Sequence, residues 1–192
     1  IFLPSCDHFW TMPSALPPNF VDQPVADNWN QAVGLTFDSS GRLIVWEKAG
    51  RAWIVQNGVK SNTPLIDISE EVGDWRDYGM LGFSLDPNFD LNGYIYLLYV
   101  VDYHHVAFFG TPSYDPQADW YFRDTIARLT RYTATAGSGF STVDYNSRLA
   151  LIGESISTGF PICHQSHGIG SLVFGEDGTL LISCGDAASY SG

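Results

Sequence analysis

Short apolar runs alternate with polar positions along this chain. Val33-Gly34-Leu35-Thr36-Phe37 leads through Asp38-Ser39-Ser40-Gly41 to Arg42-Leu43-Ile44-Val45-Trp46-Glu47. Period-two alternation around an Asp/Ser/Gly turn predicts a β-hairpin. A third strand is predicted at Ala52-Trp53-Ile54-Val55, between turns at Ala49-Gly50-Arg51 and Gln56-Asn57-Gly58, so the region reads as a β-meander. Tyr94-Ile95-Tyr96-Leu97-Leu98-Tyr99-Val100-Val101 is apolar throughout. It is far too short to span a bilayer and predicts a buried strand. Ile126 to Tyr132 predicts another strand, with polar alternation.

The pattern recurs. Leu35, Phe37, Gly41, Leu43 and Val45 have the spacing of Leu172, Phe174, Gly178, Leu180 and Ile182, and a looser copy starts at Phe83. Leu35 to Phe83 is 48 residues and Phe83 to Leu172 is 89, close to two such steps. A short-strand repeat of roughly 40–50 residues is the signature of β-propeller blades, at most about four of which fit in this length. Residues 1–28, rich in proline and without periodicity, read as an irregular arm, and 29–192 as the propeller region. An insertion at about 102–124 masks the repeat, and the chain stops just after a hairpin, so an incomplete propeller is expected.

Composition narrows the partners. Of 192 residues, 45% are hydrophobic and 16% charged, enough apolar material for a sizeable core. Nine Lys/Arg against 21 Asp/Glu leave a formal charge of −12 and no basic run. Such a surface repels phosphate backbones and anionic lipid, which argues against nucleic-acid and electrostatic membrane binding and favours neutral substrates. The chain opens on Ile1 rather than methionine, compatible with a processed product or an excised fragment. Cys6, Cys163 and Cys184 show no C-x-x-C spacing; Cys163 with Cys184 would brace the last hairpin, while Cys184 as a buried thiol is the other reading.

Candidate chemistry surrounds the last repeat. His164 and His167 precede the hairpin Leu172–Ile182, and Asp186 follows it. A hairpin returns the chain to where it left, so His167 and Asp186 are expected to be neighbours, a base and the carboxylate that orients it. Asp102-Tyr103-His104-His105 is a weaker metal-site candidate, because adjacent side chains on extended backbone diverge. Asp86, Asn88, Asp90 and Asn92 alternate as in an EF-hand, but Leu91 and Leu97 stand where Gly and Glu are needed, which leaves a plain turn.

Three motifs in order carry a resemblance: Asp77-Tyr78-Gly79-Met80-Leu81-Gly82, Asp86-Pro87-Asn88-Phe89 with Asn92-Gly93, and His167-Gly168-Ile169-Gly170-Ser171-Leu172 with Gly185-Asp186. Over roughly residues 30 to 190 the chain resembles the glucose/sorbosone dehydrogenase family of soluble quinoprotein sugar dehydrogenases, whose domain the hedgehog-interacting proteins share. The resemblance implies an all-β fold, a six-bladed β-propeller of which this chain holds only the first blades. It implies pyrroloquinoline quinone (PQQ) and calcium as cofactors, a sugar or aldose substrate, an external electron acceptor and an extracellular or periplasmic location. By position, His167 becomes the general base beside the quinone, Asp186 its hydrogen-bonding carboxylate, and Asp77 a pocket residue where the family often has the longer Gln or Glu. The calcium ligands and the Arg, Asn and Lys partners of the quinone carboxylates are implied to lie in later blades, so further chains or segments would complete the ring. A non-catalytic extracellular module for glycan or protein binding is the alternative, and a calcium-dependent lactone hydrolase on a propeller is a third reading.

Overall fold

The computed structural model describes residues 17–186. Most of the expected arm, residues 1–16, and Cys6 with it, lies outside the described residues; residues 17–31 contain neither strand nor helix.

Two sheets and a hairpin follow one another. In the first sheet β1 (Ala32–Phe37), β2 (Leu43–Glu47) and β3 (Arg51–Gln56) form an antiparallel meander, and β4 (Val59–Lys60) and β5 (Ile66–Asp67) share the outer edge of β3. The second sheet repeats this plan with longer pieces. β6 (Met80–Leu85), β7 (Tyr94–Val100) and β8 (Thr125–Ala134) form the meander, while β9 (Val143–Ile152) and β10 (Phe160–Ile162) divide the edge of β8. The third unit is the hairpin of β11 (Ile169–Phe174) and β12 (Leu180–Cys184).

The burial of β7 shows why its sequence lacks polar alternation. Ile95, Leu97 and Tyr99 pack with the first sheet in one core, and Leu98 and Val100 pack with Ile169 and Leu172 of the third unit in another. Period two still operates, but both faces are covered. Each such buried side chain contributes about 1.5–3 kcal/mol.

Two expectations are corrected. The 89 residues between Phe83 and Leu172 hold one enlarged sheet rather than two blades, because α2 (Tyr103–Phe108), its following loop and the long β9 lengthen it. The described residues therefore form two full blades and the start of a third. Identical spacing also does not mean identical burial. Leu172 is 8% exposed, but Leu35 and Phe37 are 59% and 61% exposed. The first strand of each sheet packs on the sheet before it, as when Phe83 stacks on Trp46 at 5.4 Å, and β1 has no preceding sheet among the described residues.

The turn reading of residues 86–92 is matched by geometry. The Asp86 carboxylate accepts from the Asn88 backbone N–H and the Asn92 side chain, both at 2.9 Å, and from the Tyr96 hydroxyl at 3.0 Å, around the single helical turn α1 (Phe89–Asn92).

Candidate functional site

Pairing of Ile169 with Cys184 sets the start of β11 beside the end of β12. His167 and Asp186, two residues beyond that pairing on either side, meet: His167 Nδ1 lies 3.1 Å from Asp186 Oδ1. Close backbone approach makes this possible. Gly185 N–H donates to the Gly168 carbonyl at 2.6 Å. A Cβ on Gly185 would stand 2.0 Å from the His167 carbonyl oxygen, so only glycine fits there. His167 itself takes the left-handed backbone, φ 56°, which costs a non-glycine residue about 1–2 kcal/mol.

An ionised carboxylate only accepts, so the proton shared with Asp186 sits on His167 Nδ1. The side chains remain 47% and 71% exposed. The pair can therefore take a proton from a molecule arriving from solvent.

Asp77 is exposed, and its backbone N–H donates to the Gln165 carbonyl at 3.2 Å, tying its loop to the histidine loop. Gly79, just before β6, takes φ 136° against the Lys48 carbonyl, from which a Cβ would stand 2.8 Å. His164, not His167, lines a cavity of about 190 Å³ with Gln165, Cys163, Tyr78, Phe122, Arg123 and Asp124. Burial, then the nearby Asp124 carboxylate, push the Tyr78 phenol up to about 12, so it stays protonated. Phe122, Arg123 and Asp124 belong to the insertion, which the sequence marked only as aromatic and irregular. Trp75 holds it in place through rings of Tyr121 at 5.5 Å and Phe122 at 6.2 Å.

Both cysteine readings are corrected: Cys163 and Cys184 are free and exposed. The Cys184 thiol donates to the Gly168 carbonyl at 3.3 Å.

The Asp-His-His segment is helical rather than extended. Asp102 caps α2 by accepting from the His104 backbone N–H at 2.7 Å. His104 Nε2 accepts from the Asp115 backbone N–H at 3.0 Å. His105 Nε2 lies 3.3 Å from Glu71 Oε2. Glu71, unremarked as chemistry in the sequence, is the hub of a buried network: Arg128 Nη1 reaches it at 2.9 Å, Arg148 Nη2 lies at 3.7 Å, and the Tyr99 hydroxyl donates to it. Burial opposes its ionisation, but the His105 hydrogen bond and the Arg128 charge outweigh burial and hold the carboxyl below its ordinary 4.5. Among the described residues no cluster of three or more His, Cys, Asp or Glu side chains is arranged to hold a metal ion.

The implied quinone can be tested against these donors. Its three carboxylates need cationic partners. The cavity offers Arg123, but Asp124 lines it too, and Gln165 adds a buried carbonyl oxygen that accepts rather than donates. The described residues do not by themselves form a holding site for the quinone or calcium.

The antiparallel blades in series define a partial β-propeller. The Glucose / Sorbosone dehydrogenase family model matches residues 29–191, and the chain belongs to that family. Hedgehog-interacting protein of Homo sapiens is 29% identical over 178 residues, covering 87% of this chain and 22% of that protein. The Mus musculus counterpart is 28% identical over 158 residues, 78% of this chain and 19% of the relative. Among solved structures, the PQQ-bound aldose sugar dehydrogenase of Streptomyces coelicolor aligns with a TM-score of 0.60 at 17% identity, over 87% of this chain and 41% of that one. The apo-form soluble aldose sugar dehydrogenase of Escherichia coli gives 0.58 at 17%, with 87% and 41% coverage. The chain thus spans about a fifth of the curated relatives and two fifths of the solved chains. Two blades and the start of a third, out of six, match that second share.

Proposed function

We propose that this chain is the leading part of an extracytoplasmic, PQQ- and calcium-dependent sugar dehydrogenase, in which His167 is the general base. The observation that carries the reading is the accessible His167–Asp186 pair at 3.1 Å. In this reading Asp186 orients the imidazole through Nδ1, and His167 takes the hydroxyl proton of an aldose at Nε2. Asp77, on the loop bonded to Gln165, is the third residue assigned to the pocket in this reading. A bound quinone would supply hydride acceptance and pass its electrons to an external acceptor; its ligands and those of calcium are not among the described residues.

The test uses the full-length protein with PQQ and calcium, adding glucose and other aldoses while quinone absorbance is followed. Sugar-dependent reduction is expected, and it should fall by about 10²–10⁴ in His167→Ala. Quinone that never binds, or reduction indifferent to His167, would sink the reading.

A second reading is supported by the 29% identity to Hedgehog-interacting protein. In it the blades serve as an extracellular binding module for a protein or glycan, without a cofactor. Absence of quinone binding combined with capture of a Hedgehog-type protein by the folded full-length chain would favour it.

A further inference from the structure

A second, larger cavity, of about 490 Å³, opens between the β5 end of the first blade and the outer strands of the second, with α2 at its side. It shares no lining residue with the cavity at His164. Its volume falls in the range of small-molecule sites, roughly 300–1,000 Å³.

The charges in it are largely matched in pairs. Glu71 is met by Arg128 at 2.9 Å, Glu154 by Arg148 at 3.1 Å, and Asp67 by Arg51 at 2.8 Å. Three of the four lining carboxylates, Asp67, Glu71 and Glu154, are already compensated by arginines, and Glu70 accepts from the Tyr114 hydroxyl at 2.7 Å, so neither an anion nor a cation finds an uncompensated charge there. What remains is a neutral ligand able to donate to Glu70 and Glu154 and to accept from Arg148.

Two aromatic rings supply apolar contact. Phe109 is 63% exposed yet stacked on His105 at 4.6 Å, and Tyr145 is 53% exposed yet pinned by its hydroxyl, which accepts from the Asp67 backbone N–H at 2.9 Å. Exposed rings already held in place cost little entropy when a ligand covers them. Planar rings beside paired donors and acceptors suit a molecule with C–H faces and a girdle of hydroxyls.

We propose that this inter-blade cavity is a binding site for a neutral saccharide, separate from the His167–Asp186 site and independent of the catalytic reading. Phe109 and Tyr145 cover the sugar faces, while Arg148, Glu154 and Glu70 bond its hydroxyls.

The experiment is saturation-transfer NMR on the full-length protein with glucose, galactose, mannose, xylose and N-acetylglucosamine, with spermidine and citrate as charged probes. The variants are Phe109→Ala and Tyr145→Ala, both exposed, each made also in a His167→Ala background that weakens aldose binding at the other site. At least one sugar is expected to bind, about fivefold or more weakly in each aromatic variant whether or not His167 is present. Silence from every sugar overturns the proposal, as does binding that only His167→Ala weakens, or a cavity that takes spermidine or citrate in place of sugars. If Tyr145→Ala unfolds, Tyr145→Phe, which keeps the ring, must retain binding while Phe109→Ala loses it; loss in both or retention in both refutes the site.

Discussion

His167 meets Asp186 at 3.1 Å and His105 meets Glu71 at 3.3 Å, two histidine–carboxylate pairs of almost equal length in one chain. Their surroundings set them apart. The first is open to solvent at a hairpin end; in the second the side chains are 10% and 8% exposed, with Arg128 completing the network. A buried charge must be satisfied by the protein, so the Glu71 network is bound up with folding, whereas an exposed pair contributes little to stability and is left accessible to a substrate. Proximity alone distinguishes neither role.

The sharpest way to break the comparison is to remove the carboxylates one at a time. Glu71→Ala leaves Arg128 buried without its counter-charge and is expected to cost about 3–5 kcal/mol by urea unfolding. Asp186→Ala should cost less than about 1 kcal/mol, since exposed pairs are worth no more. Equal losses would mean that the two pairs do the same work.

Gly185→Ala comes next. The added methyl meets backbone at His167, so the strand end must move off the histidine loop. Destabilisation of about 1–3 kcal/mol is expected, with loss of any His167-dependent activity. Retained activity would show that the close approach does not position the base.

Acid gives a smaller, graded effect. The folded-state value of Glu71 lies below its ordinary 4.5, so ionised Glu71 stabilises the fold above that value, and the stabilisation is lost as pH falls through the lower, folded one. Thermal midpoints should therefore decline below about pH 4.5 more steeply in the native protein than in Glu71→Gln. Parallel curves would contradict the buried network.

The smallest effect belongs to His167→Gly. Glycine adopts φ near 56° without penalty, so stability should stay level or rise by up to about 1 kcal/mol even as proton transfer is lost. A clear loss of stability would make His167 part of the scaffold.

Much of this was legible in the chain. The alternation at 33–37, the Asp38–Gly41 turn and the apolar run 94–101 announce strands because side chains in a strand face alternate ways and turns need particular residues. Hairpin geometry with the short Glu176-Asp177-Gly178 turn implied the neighbourhood of His167 and Asp186 before any contact was seen. The helix at Tyr103–Phe108 was not legible: its six residues carry too few turns for a periodic signal. Nor was the single blade between Phe83 and Leu172, since a spacing cannot tell two blades from one with insertions.

The sequence by itself determined the strand pattern, the hairpin repeat, the family and the nearness of His167 to Asp186, because these rest on local periodicity and on turn lengths that tie near neighbours together. The tertiary structure alone decided which face of each repeat is covered, that Glu71 gathers His105, Arg128 and Arg148 from three later elements, and that a second cavity opens between the blades. Those features depend on contacts between residues far apart in the chain, 77 positions for Glu71 and Arg148 and 78 for Asp67 and Tyr145, and no local pattern records which distant side chain will arrive.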